Sequence, residues 1–161
     1  MKNRAVKLVE IGKVDIFEEN IPPLKKGQAL VKIEACGVCG SDLHYFTHGG
    51  LGSFKETLPF SLGHEPAGEI IDLNGIENFK CGDRVAIEPG SYCGECASCL
   101  DGEHNLCSGG SFLGAQGYPG AMADYVVVNE NQLEKINDNI SFEQATLLEP
   151  LGVGMHALNK V

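Results

Sequence analysis

Four of the seven cysteines fall in one short stretch, Cys93-Gly94-Glu95-Cys96-Ala97-Ser98-Cys99 followed by Cys107, a C-x2-C-x2-C-x7-C run. Thiolates two residues apart in a turn can converge on one ion, and four of them close the tetrahedral sphere of Zn²⁺ against water. The stretch must therefore wrap around a centre instead of running as a regular strand or helix. Disulfides fit less well. Seven is an odd number, Met1 to Leu8 carries charges too early for a secretory signal, and a reducing cytosol disfavours the bond. Ferredoxin clusters share the C-x2-C-x2-C part, but their next cysteine comes after three residues and precedes proline, whereas here the gap is seven and Ser108 follows. A structural zinc is the favoured reading; an iron–sulfur cluster and metal-free surface thiols are the alternatives.

A chain of 161 residues suits one domain, which buries roughly 68–70% of its unfolded surface without needing disulfides. Its 12 Lys+Arg against 22 Asp+Glu give a net charge of −10, the opposite of a nucleic-acid or anionic-lipid footprint. Apolar stretches such as Tyr125 to Val128 fall far short of the ~20 residues that span a bilayer. The expectation is a cytoplasmic protein with neither nucleic-acid nor membrane partners.

The pattern along the chain is mainly β. Runs of β-branched residues between turn signals occur at Ala5 to Glu10, Val14 to Phe17, Ala29 to Ala35, Gly68 to Leu73, Arg84 to Ile87 and Tyr125 to Val128. In the third run Val31, Ile33 and Ala35 share one face and Lys32 and Glu34 the other, as a half-buried strand requires. Ser41 to Phe46 suggests a short helix. Ser141-Phe142-Glu143-Gln144 fits a capping box, with Ala145, Leu147, Leu148 and Leu151 following at near-helical spacing. The last residues carry no helix stop, so the C-terminus reads as cut.

A second candidate metal site lies outside the cysteine run. Cys39-Gly40-Ser41-Asp42-Leu43-His44 and Gly63-His64-Glu65 supply thiol, imidazole and carboxylate, a set that can hold three positions of a zinc and leave the fourth open. Each residue alone reads more simply as core or hydrogen-bonded surface; the combination carries the signal. Cys36-Gly37-Val38-Cys39 imitates a thioredoxin-type C-x-x-C, a reading set aside because neither cysteine opens an evident helix after a buried parallel strand. Cys36 and Cys81 are expected as buried structural residues. His48, His104 and His156 are expected to be solvated or held by local hydrogen bonds, and Gly82-Asp83 to turn into a strand.

Taken together, Cys36-Gly-Val-Cys39-Gly-Ser-Asp42-Leu-His44, Gly63-His64-Glu65, Gly82-Asp83-Arg84-Val85, the four-cysteine run and Glu149-Pro150-Leu151 resemble the zinc-dependent medium-chain alcohol and polyol dehydrogenases. The resemblance spans residues 1–161 as their N-terminal catalytic domain, a mainly β, GroES-like β-barrel with short helices and a zinc-binding lobe. His44 to Gly49 and Leu51 to Phe54 look most like the sorbitol and xylitol branch. It implies a catalytic zinc held by Cys39 and His64, with Glu65 or Glu149 completing the set, and a structural zinc in Cys93, Cys96, Cys99 and Cys107. Asp42 would accept the free ring N–H of His64. Ser41 and His44 would relay the proton, Ser41, His44 and Val153 would face the cofactor, and Tyr45 and Phe46 would line the substrate pocket. The implied reaction is hydride transfer between a secondary alcohol and NAD(P), with zinc as Lewis acid. The implied whole protein is a homo-oligomer acting on a small alcohol or polyol.

A nicotinamide also needs a strand leading through G-x-G-x-x-G into a helix. Gly152-Val153-Gly154-Met155-His156-Ala157 imitates that string but follows a helical pattern, so it reads as helix. The chain is thus expected to be a catalytic domain without its Rossmann cofactor domain, and inactive alone. The competing reading is a zinc-stabilised GroES-like barrel used only for binding or assembly; a zinc-free quinone reductase relative is disfavoured by the two ligand sets.

Overall fold

The computed structural model describes residues 1–115 and 117–160. All six β-branched runs become strands, five of them longer than the run itself. They are β1 (Lys2–Glu10), β2 (Lys13–Asn20), β3 (Gln28–Gly37), β7 (Glu65–Asn74), β8 (Arg84–Ile87) and β11 (Tyr125–Asn129). Short strands fill the intervals: β4 (Gly50–Leu51), β5 (Phe54–Lys55), β6 (Phe60–Ser61), β9 (Gly90–Ser91), β10 (Ser111–Phe112) and β12 (Leu133–Lys135). The helices are α1 (Gly40–His48), α2 (Ala97–Leu100), α3 (Phe142–Ala145) and α4 (Leu148–Leu158). No helix among the described residues is long and apolar enough to cross a membrane.

Two antiparallel sheets make the barrel, one in the order β11-β3-β7-β8-β12 and the other β2-β1-β6. They meet where Ala5 bridges Ala123 and where the N–H groups of Val6 and Asp124 donate to Met122 and Arg4 carbonyls at 2.8 and 2.9 Å. The main core packs on the five-stranded sheet, built from Val31, Ile70, Val85, Leu113, Val126 and Val128 among others, and a second cluster of Leu8, Tyr45, Phe60 and Leu62 packs on the three-stranded one. Lys32 and Glu34, on the opposite face of β3, are exposed and paired at 2.6 Å. Ile70, opposite Val31 in the ladder, is fully buried. Ile70→Ala is therefore expected to cost about 2–5 kcal/mol, since the missing methyls leave a cavity that a β-sheet cannot collapse around. Urea unfolding of the zinc-loaded protein measures it, and an unchanged midpoint would contradict this core assignment.

Three local expectations change. The capping box at Ser141 forms, with Gln144 N–H donating to the Ser141 hydroxyl at 3.2 Å and Ser141 N–H to the Gln144 side chain at 2.9 Å. It starts only the single turn of α3, and Thr146-Leu147, both in the right-handed helical region, form a turn between α3 and α4 instead of continuing one helix. Cys81 is exposed, not buried, because it sits in the turn before β8, where Gly82 adopts φ +88°. Cys36 is partly buried against the main core, and burial pushes its thiol up to about 12.

Candidate active site

The ladder between β3 and β7 creates the site. Gly37, the last residue of β3, pairs with Glu65, the first of β7. Cys39 follows two residues beyond one strand and His64 precedes the other, so residues distant in sequence become neighbours. The Cys39 Sγ, an imidazole nitrogen of His64 and a Glu65 carboxylate oxygen all lie within 4.8 Å of one another. His64 and Glu65 are buried, with Cys39 half-buried. A Cβ at Gly37 would stand 2.1 Å from Glu65 Oε2 and 3.0 Å from its Cβ, so a side chain here would displace the carboxylate from its present position. Gly63 has φ +94° and a Cβ would press on the Met122 backbone N at 2.7 Å and the Cys36 sulfur at 3.0 Å.

Asp42 fastens the two halves together. Its carboxylate accepts the Cys39 N–H at 3.0 Å, capping α1, and the Gly63 N–H at 3.1 Å. With 3% exposure this side chain satisfies its buried charge through backbone donors, as a buried carboxylate must. Its Oδ1 lies 3.8 Å from His64 Nδ1, longer than a hydrogen bond. The expected Asp42–His64 hydrogen bond is thus replaced by a backbone brace with the ring close by. On the other edge of the imidazole, Nε2 lies 3.4 Å from Ser41 Oγ. The Phe112 ring closes over His64 with centroids 5.7 Å apart.

The donor set fits a zinc with one position left over: sulfur, imidazole and carboxylate are its ordinary ligands, and three protein ligands leave one corner open. Glu149 stands outside that 4.8 Å group. Its carboxyl is raised by burial, opposed by His64 and reinforced by Glu65 and Glu88, so it lies in the same electrostatic field as a third acidic group. Val153 is exposed on α4 and shares with Glu88, Asn105, Glu149, Gly152 and His156 a cleft of about 350 Å³. His44 is exposed on α1, one turn beyond Ser41. Tyr45 departs from its expected place. It is buried among Leu8, Phe60 and Leu62, its ring 4.9 Å from that of Phe60, and Phe46 packs on the same cluster. The Tyr45 ring ties α1 to the strands β1 and β6, while Phe46 leans on the same cluster and stays half-buried.

The four-cysteine run forms the second centre. The sulfurs of Cys93 and Cys107 are 3.5 Å apart, as are those of Cys96 and Cys99; Cys93–Cys99 and Cys96–Cys107 are 3.9 Å apart. Four sulfurs bound tetrahedrally at the Zn–S distance of ~2.3 Å would lie ~3.8 Å from one another, so the cage already has zinc dimensions. Disulfides would need about 2 Å. Backbone N–H groups favour the thiolates: Cys96 is lowered to about 6, first by the Cys99 N–H, and Cys107 is lowered, first by the Cys93 N–H. Burial pushes Cys99 the other way. The lobe hangs from the β9–β10 ladder and is held to the barrel by Asn131, whose side-chain amide donates to the Tyr92 carbonyl at 3.0 Å.

The family profile of the alcohol dehydrogenase GroES-like domain matches residues 25–138. The chain belongs to this family. As an alcohol dehydrogenase GroES-like domain it is 44% identical to the sorbitol dehydrogenase of Bacillus subtilis (strain 168) over 138 residues, 85% of this chain and 39% of that one. It is 37% identical to the D-xylulose reductase A of Aspergillus oryzae over 161 residues, covering 99% of this chain and 45% of that one. A crystal structure of an Escherichia coli oxidoreductase/dehydrogenase of unknown specificity superposes with a TM-score of 0.89 at 40% identity, covering 98% of this chain and 46% of that one. The GroES-like domain thus spans less than half the length of each of these relatives.

The sequence names every residue of both clusters and Asp42 beside them, but neither Gly37 nor Phe112. Gly37 and Phe112 act through the register of β3 on β7 and of β10 on β9, pairings that no local spacing reveals. Cys39 does open α1, as one half of a thioredoxin-type motif would. The strand before it, however, is antiparallel to both neighbours, unlike the parallel βα unit that motif needs.

Proposed function

We propose that this chain is the catalytic portion of a zinc-dependent, NAD(P)-linked polyol dehydrogenase whose nicotinamide-binding domain lies in further sequence. The observation that carries the reading is the convergence of Cys39, His64 and Glu65 within 4.8 Å beside the hydroxyl of Ser41. In the bound state zinc supplies Lewis-acid polarisation of the substrate oxygen and the nicotinamide exchanges the hydride. The chain's own residues do the rest. Ser41 stands against His64 Nε2 and so offers its hydroxyl to a substrate hydroxyl seated there. His44, one turn further along the same helix face, passes the proton outward. Asp42 keeps the Cys39 and Gly63 backbones in register, and Phe112 shields the imidazole from water. Glu149 and Val153, on the rim of the adjoining cleft, face the cofactor side.

Helix α4 supports the need for more chain. Leu151, Val153, Met155 and Leu158 are all more than half exposed, and a helix that is apolar all round belongs inside a larger structure. Gly152 and Gly154 lie within α4, not in a strand-to-helix turn, so they form no dinucleotide loop. The purified 161-residue chain is expected to hold two zinc ions, one per cluster, and to oxidise sorbitol or xylitol negligibly. The protein translated from the coding sequence continued past Val161 is expected to carry a strand, a G-x-G-x-x-G turn and a helix, and to form NAD(P)H from such polyols. Turnover by the 161-residue chain, or none by the longer protein, overturns the reading.

A further inference from the structure

Beyond the two clusters, α1 carries a third arrangement of ligands. His44 and His48 are four residues apart on an exposed helical face, the spacing at which two imidazoles can share one ion. Their ring centroids are 5.6 Å apart with planes inclined by 35°. Two imidazoles bound tetrahedrally at Zn–N distances of 2.0–2.1 Å would place their centroids about 5 Å apart, within reach of a small side-chain rotation. Both rings line one hollow of about 320 Å³ together with Gly50, Gly52 and Lys55.

The hydrogen bonds of His48 decide which nitrogen is available. Thr47 Oγ1 donates its only proton to the Leu43 carbonyl at 2.7 Å. Toward His48 Nδ1, 2.6 Å away, the same oxygen must therefore accept. Nδ1 carries the ring proton, and in the neutral imidazole the lone pair is on Nε2. A partner that fixes the tautomer and orients the ring is the usual support for a metal-ligating histidine. His48 has it before any ion arrives.

We propose that His44 and His48 form a two-histidine chelate for a late first-row divalent cation such as Zn²⁺ or Ni²⁺, separate from the Cys39 and four-cysteine clusters and completed by water. Lys55 shares the hollow and, as an exposed ammonium, opposes a cation there, so it limits affinity without supplying a ligand. One consequence rests on the relay reading of His44 above. An ion that takes the His44 nitrogen removes it from proton transfer, so excess Zn²⁺ inhibits the longer protein reversibly.

The test is a Ni²⁺ titration of the zinc-loaded 161-residue chain, read by paramagnetic broadening of backbone amide signals. Broadening is expected around the C-terminal half of α1 and around Lys55. His48→Gln should weaken it at least tenfold, the scale on which single supporting changes act at metal sites, and Lys55→Gln should strengthen it. Broadening confined to the cysteine clusters, or unchanged in His48→Gln, overturns the proposal. So does an opposite sign at Lys55, with inorganic phosphate shifting the same amides and losing affinity in Lys55→Gln, because the hollow is then an anion site. Ni²⁺ binding as expected, with no Zn²⁺ inhibition that His48→Gln relieves, refutes the relay role of His44 and leaves the metal site standing.

Discussion

Cys39→Ser is expected to release one metal ion per chain while leaving the other in place. A serine hydroxyl stays protonated at neutral pH and is a far harder donor than a thiolate, so it cannot replace the sulfur at a zinc site. The fold should persist, because α1 is capped by the Asp42 carboxylate on the Cys39 N–H, an interaction the substitution leaves intact. Lewis-acid stabilisation is worth several kcal/mol and each ~1.4 kcal/mol is a factor of ten in rate. On the function proposed above, polyol oxidation by the longer protein should therefore fall by on the order of 10³-fold. Metal analysis of the 161-residue chain together with kcat of the longer protein checks both halves. Unaltered metal content would remove the ground for a catalytic ion at Cys39, His64 and Glu65.

Cys96→Ser should act on a different part of the molecule. Four-thiolate binding supplies on the order of 10–16 kcal/mol in small zinc peptides, and here that energy orders a lobe with few apolar contacts of its own. Of its four cysteines only Cys99 is buried, and Leu100 and Leu106 are exposed. With the cage broken, the segment from Ser91 to Ser108 should become protease-sensitive and exchange its amides rapidly, while β3, β7 and β8 stay protected. Some loosening should reach His64, because Phe112 at the base of the lobe packs on that ring. Limited proteolysis and hydrogen exchange read the outcome. Protection of 91–108 equal to that of the unsubstituted protein would mean that protein contacts, not an ion, hold the lobe.

Much of this was legible from residues alone, and the reasons differ by element. The long strands announce themselves because a half-buried sheet imposes alternation, as in Val31, Lys32, Ile33 and Glu34. Strands of two residues, such as Gly50–Leu51 and Gly90–Ser91, are too short to carry a period and exist only through their partners. The cysteine cage is readable because its ligands are close in sequence. The Cys39, His64 and Glu65 cluster is readable as a set of ligand types, yet its convergence depends on Gly37 opposite Glu65, a tertiary register. Asp42 was recognised as belonging to the site, but its role turned on a distance: at 3.8 Å from His64 Nδ1 it braces backbones instead of bonding the ring. Tyr45 differs because an aromatic beside candidate site positions suggests a pocket, whereas the helix turns it inward onto Phe60.

The β9–β10 ladder has a wider implication. Ser91 faces Ser111 and Gly90 faces Phe112, so the chain leaves the barrel and re-enters it at one doorway, with the whole cage outside. An insertion whose two ends already touch imposes little closure entropy on its host. Changes of length within it should therefore leave the packing of Ile70, Val85 and their neighbours in place, and this doorway is the place to graft a different loop onto the scaffold.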